Sequence, residues 1–111
     1  MHWHSIANGG TIGTRGSECG LILRDDEFDH GARITLERDG TIAPLSITCG
    51  IYGWMAHTRL FSSADEADRE FDLMKKGIEA IIQLCSSPDL GDDPLRETIG
   101  EAIGDFVQRF P

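Results

Sequence analysis

From Ala67 to Cys85 the apolar residues fall at Ala67, Phe71, Met74, Ile78, Ile81, Ile82 and Cys85, in steps of 4, 3, 4, 3, 1 and 3. That spacing writes one stripe along an α-helix, and a stripe of that length has to lie against another surface. Just ahead of it, Ser63-Ala64-Asp65-Glu66 has the S-x-x-E spacing of a capping box, in which the serine hydroxyl accepts from the Glu66 N–H and the glutamate reaches back. Asp65, Glu66 and Asp68 add negative charge where the helix dipole favours it. Ser86-Ser87-Pro88 ends the segment. A second helix starts near Asp92 or Asp93 with Pro94 in the first helical position, and carries the stripe Leu95, Ile99, Ala102, Ile103, Phe106 and Phe110. Gly100 and Gly104 cost that helix roughly 1 kcal/mol each against alanine, and their spacing would suit close approach of another backbone.

The surface that receives these stripes is written upstream, in a period of two. Leu21 and Leu23 alternate with Ile22 and Arg24, and the polar run from Asp25 to Gly31 reads as a turn. Ala32, Ile34 and Leu36 then alternate with Arg33, Thr35 and Glu37, as expected of a strand with one buried face. Asp39-Gly40 suggests a type I′ hairpin, which needs positive φ at both central residues. The return strand sets Leu45, Ile47, Cys49 and Ile51 on one side, with Pro44 confined to its start or to an edge. Around Gly50 and Gly53 the chain either reverses or bends at a bulge and runs on to Phe61. The expectation is an α+β fold over residues 1–111 as a single domain: an antiparallel β-meander of four to five strands followed by two amphipathic helices packed on one sheet face.

Charge narrows the function classes. The chain of 111 residues carries a formal charge of −9. Residues 1–61 hold five basic and seven acidic groups, whereas residues 62–111 hold five basic and twelve acidic ones. A nucleic-acid partner needs a cationic footprint, which this balance does not supply, and an anionic membrane surface is disfavoured for the same reason. Cys19, Cys49 and Cys85 form neither a disulfide framework nor a CxxC pair, and no secretory signal is evident at the N-terminus, so a reducing cytoplasm is the expected address.

Several residues invite chemistry. The glycine-rich stretch from Asn8 to Gly20 matches neither the dinucleotide fingerprint nor the P-loop, but Arg15 within it could hold a carboxylate or phosphate bidentately. His2 and His4 would share a strand face and could supply half of a tetrahedral metal site, if His30, Asp29, Cys19 or His57 completed it. Cys49 and Cys19 are the candidate thiols, with His57 or His30 as base; Cys49 lies on the apolar side of its strand and reads as core. The segment from Tyr52 to Arg59 gathers Tyr52, Trp54, His57 and Arg59, a composition typical of interface centres. The acidic side of the first helix, Asp65, Asp68, Asp72 and Glu79, is a solvated face that could also dock a basic protein.

These readings point to a non-enzymatic protein-interaction or oligomerisation domain, expected to be a homodimer, with the meander's open face or an edge strand as its contact surface. Two other classes stay open. One is a small enzyme or metal-dependent ligand binder using the glycine-rich loop with His2, His4, His57 and Arg59. The other is an acidic inhibitor or immunity-type protein that masks a basic partner. No cofactor is indicated.

Overall fold

A computed structural model of the chain, describing residues 3–85, 91 and 93–111, contains five strands, two α-helices and a short 3-10 turn at Ile6–Gly9. The strands are β1 (Trp3–Ser5), β2 (Leu21–Phe28), β3 (Ala32–Arg38), β4 (Leu45–Ile51) and β5 (Met55–Phe61). The helices are α1 (Ala64–Cys85) and α2 (Asp93–Arg109). The sheet is a meander in chain order β1-β2-β3-β4-β5, antiparallel throughout. Each strand therefore pairs with its neighbour in sequence, and the sheet needs no crossover.

Cross-strand register sorts the side chains into two faces. Ala32 lies opposite Ile51, Ile34 opposite Cys49, and Leu36 opposite Ile47, so one face of β3 and β4 is apolar from Ala32 to Leu36. Helix α1 lies on this face and buries Ala67, Phe71, Met74, Ile78, Ile81 and Ile82 against it, which is the stripe written in the sequence. Its start is capped as expected, the Glu66 N–H reaching Ser63 Oγ at 3.4 Å. Helix α2 packs on α1, with Ile99 and Phe106 buried and Phe110 buried just beyond its end. The two helices come close at Gly77, where a Cβ would stand 3.0 Å from the Phe106 ring. Gly100 and Gly104, the glycines expected to allow close approach, have nothing within 4 Å. Ser86-Ser87-Pro88 and Asp92 lie outside the described residues.

Two local expectations change, and at a third position one of two alternatives is realised. The acidic run from Asp25 to Phe28 is strand, not turn, and only residues 29–31 reverse the chain. Those charges are tolerated because each finds a partner: Asp25 takes Arg33 and Thr35, and Asp26 accepts from Lys75 on α1 at 2.7 Å. Between β3 and β4, Asp39 has φ +55° but Gly40 is not in the positive region, so the two-residue type I′ turn does not form. Instead the connection is longer and closes through Asp39 N–H to Pro44 O at 2.7 Å. Gly40 is there for proximity, since a Cβ would sit 2.8 Å from the Glu18 carbonyl oxygen. At Gly50–Gly53 the chain reverses rather than bends, through Gly53 at φ +82° and Trp54 N–H to Ile51 O at 2.9 Å.

Candidate functional site

The second face of the sheet is roofed by the loop that joins β1 to β2. Register places Asp25, Glu27, Arg33, Thr35, Glu37, Thr48 and Thr58 on this outer face, with Ile22 beside them. The loop crosses β2 and holds it through Gly13 N–H to Ile22 O at 2.8 Å and Ile22 N–H to Thr14 O at 2.9 Å.

Its anchor is a carboxylate. Glu37 is 1% exposed and accepts the Gly20 N–H at 3.0 Å and the Glu18 N–H at 3.2 Å. Cys19 between them has φ +65°, the left-handed conformation that lets amides on either side of it converge on one anion. A Cβ at Gly16 would overlap the same carboxyl group, and one at Gly20 would stand 2.5 Å from Arg38 O. The glycines thus permit backbone to close on Glu37. The amides of this glycine-rich stretch that converge on an anion are thus occupied by the protein's own side chain.

Asp25 is the second buried carboxylate, at 1% exposure. Arg33 grips it through Nε at 2.9 Å and Nη2 at 2.6 Å, and the Thr35 hydroxyl donates at 3.0 Å. The Thr11 hydroxyl also favours the charged form, although it is buried and makes no hydrogen bond of full geometry. Burial alone would push the Asp25 carboxyl up; the hydrogen bonds from Arg33, Thr11 and Thr35, with the charge of Arg33, outweigh it and hold it below its ordinary value.

Between this loop and the β4–β5 hairpin lies a cavity of about 820 Å³. Arg15 and Arg33 line it from the loop and sheet sides, Tyr52 and Trp54 from the hairpin, and Ala56 from β5. Arg15 is braced by Nη1 to Cys19 O at 2.8 Å. Tyr52 spans the outer face to donate to Glu27 at 2.8 Å. Burial and the Glu27 carboxylate push its phenol up to about 12, so it is a donor across the physiological range. Arg96 of α2 stacks over the Trp54 ring, 5.3 Å from its centroid.

The candidates named from sequence therefore separate. Arg15, Tyr52 and Trp54 share the cavity, whereas His57 and Arg59 face the helices on the opposite side of β5. His57 Nε2 lies 2.6 Å from the Phe110 carbonyl oxygen. Arg59 donates to Pro111 O at 3.2 Å and to Glu70 at 3.1 Å, so both tie the end of α2 to the sheet. His4 sits 3.4 Å from Glu27, and His2 lies outside the described residues. Among the described residues no three His, Cys, Asp or Glu side chains are grouped to hold a metal. The Cys49 thiol is pushed up to about 12 by burial, with Arg59 opposing only in part, which suits the core role read from its strand position.

Sequence reading missed Arg33, Thr35 and Glu37 as site residues. Their alternation with Ala32, Ile34 and Leu36 put them on a face assumed to meet water. The available signal was Glu37 itself, an acidic side chain in mid-strand opposite a glycine-rich segment long enough to reach it. No known family model matches the chain, and no curated protein or solved structure resembles it significantly.

Proposed function

We propose that this protein is a small non-enzymatic binding domain that takes a small molecule between its glycine-rich loop and its β4–β5 hairpin. The observation that carries this reading is the cavity of about 820 Å³, within the range of ligand sites and walled by apolar surface with a few placed donors. Among the described residues its lining offers guanidinium groups, hydroxyls and a protonated phenol, and no imidazole or carboxylate that could act as a general base. That inventory favours holding a molecule over transforming it. The cytoplasmic address expected from sequence belongs to the same reading; the three cysteines are unpaired, and no helix among the described residues is long and apolar enough to cross a membrane.

Pairing of two copies through β5 is the second reading. This strand forms one border of the sheet, pairs only with β4, and presents Ala56, Thr58 and exposed Leu60 on its outer side. A basic partner on α1 has less support, because Asp68 and Asp72 are engaged by Arg24 and Glu79 accepts from Trp3 at 2.7 Å.

A fragment mixture added to ¹⁵N-labelled protein separates these readings. The cavity reading expects shifts at residues 11–17 and 52–56, and their loss in Ala56→Trp, which fills the cavity from an exposed position. Shifts confined to residues 58–60, with a mass that doubles between micromolar and millimolar protein, would replace it with the dimer.

A further inference from the structure

The chain has 19 acidic residues against 10 basic ones, yet among the described residues the lining of the outer-face cavity includes two arginines and no aspartate or glutamate. The acidic groups nearest to it are already engaged. Glu37 is closed off by the amides of Glu18 and Gly20, and Asp25 lies beneath Arg33, fully used by Arg33 and Thr35. Arg33 carries its counter-ion with it, but Arg15 has no acidic partner among the described residues. Glu27 beside Arg33 is likewise engaged, accepting from the Tyr52 hydroxyl at 2.8 Å. What marks the cavity is therefore two guanidinium groups on its wall, one of them without an acidic partner among the described residues, in a molecule that is otherwise strongly negative.

Both guanidinium groups are held by one side only. Arg33 uses Nε and Nη2 on Asp25, and Arg15 uses Nη1 on Cys19 O, which leaves Nη1 of the first and Nε and Nη2 of the second without a protein acceptor among the described residues. Fixed, partly used arginines present their remaining N–H groups in a set direction, which suits a planar two-oxygen acceptor. Opposite them stand Trp54 and Ala56, which supply an apolar wall.

Building on the cavity reading above, we infer that the ligand is a monoanionic carboxylic acid with an apolar body, its carboxylate received by Arg15 and Arg33 and its body lying against Trp54. A dianion fits less well, because Asp25 lies directly behind Arg33 and Glu27 stands beside it. A cation is repelled by the same arginines.

Four matched probes test this: 1-naphthaleneacetate, its primary amide, 2-(1-naphthyl)ethylammonium and 1-naphthyl phosphate, each titrated against ¹⁵N-labelled protein at pH 7. The acetate should bind about tenfold tighter than the amide and tighter than the phosphate, with the ammonium weakest. Arg15→Gln should bring the acetate within about twofold of the amide while amide binding holds, and Arg15→Lys should recover part of the preference. The wild-type ratio needs no variant, so the test survives if Arg15→Gln does not fold. Equal binding of acetate and amide at residues 11–17 and 52–56 overturns the carboxylate inference and leaves the cavity reading intact, and a phosphate that outcompetes the acetate overturns it equally. No shift from any probe at millimolar concentration removes the cavity reading and this inference with it.

Discussion

On one face of the sheet Ala32, Ile34, Ile47, Cys49 and Ile51 lie under Phe71, Met74 and Ile78, none more than 1% exposed; on the other, Asp25 and Glu37 reach the same exposure beneath a loop of glycines, threonines and serine. The first closure is non-directional, since any well-filled apolar contact stabilises in proportion to the area it removes from water. The second depends on geometry at single atoms, because a buried carboxylate deprived of its donors costs more than it contributed. The contrast explains why one face is solid and the other retains a cavity. Apolar side chains fill space, whereas a backbone loop held at a few polar points spans it.

Three measurements would break or sharpen that contrast. The largest effect belongs to the packed face: Phe71→Ala should lower unfolding free energy by about 3–5 kcal/mol in a urea titration, as ring deletions from close-packed cores do. Phe71 also has Arg24 stacked 4.0 Å from its centroid, so that contact is lost as well. Next comes Gly16→Ala, which drives a methyl group into the Glu37 carboxyl and should cost about 1–3 kcal/mol. Amide exchange at Glu18 and Gly20 should accelerate in that variant while α1 stays protected. A Gly16→Ala cost as large as that of Phe71→Ala would mean that the two faces unfold as one structure and are not separately held.

The smallest effect is confined to acid. The Asp25 carboxyl titrates below its ordinary value of 3.8 in the folded protein, so its charged form contributes stability that is present above that value. The contribution disappears as the pH falls through the lower folded value. Wild-type stability should therefore drop more steeply than that of Asp25→Asn between pH 5 and pH 2. Parallel slopes would show that Arg33 does not favour the charged form of Asp25 in the folded state.

The packed face was legible in the sequence because its rule is periodic. A stripe stepping by three and four from Ala67 and an alternation from Ala32 to Ile51 each repeat often enough to outvote any exception. The outer face was not legible, since its closure depends on residues distant in the chain meeting once. Nothing local to Glu37 announces Glu18 and Gly20, and nothing local to Asp25 announces Arg33. The acidic run Asp25-Asp26-Glu27 hides its strand for the same reason: its charge suggests exposure, although Arg33 and Lys75 neutralise Asp25 and Asp26 from afar. Of the functional candidates, Arg15, Tyr52 and Trp54 were visible as unusual residues beside glycines. Their division from His57 and Arg59 follows from alternation along β5, where His57 and Arg59 face the opposite way from Ala56, Thr58 and Leu60.

Gly20 and Glu18 closing on Glu37 also bears on how binding would occur. A loop that clasps an anion belonging to its own strand is already in its final place before anything enters, so the entrance behaves as a preorganised frame and not as a lid that must settle around its guest. Association would then lose little free energy to ordering the chain, and the free and occupied proteins would share one backbone.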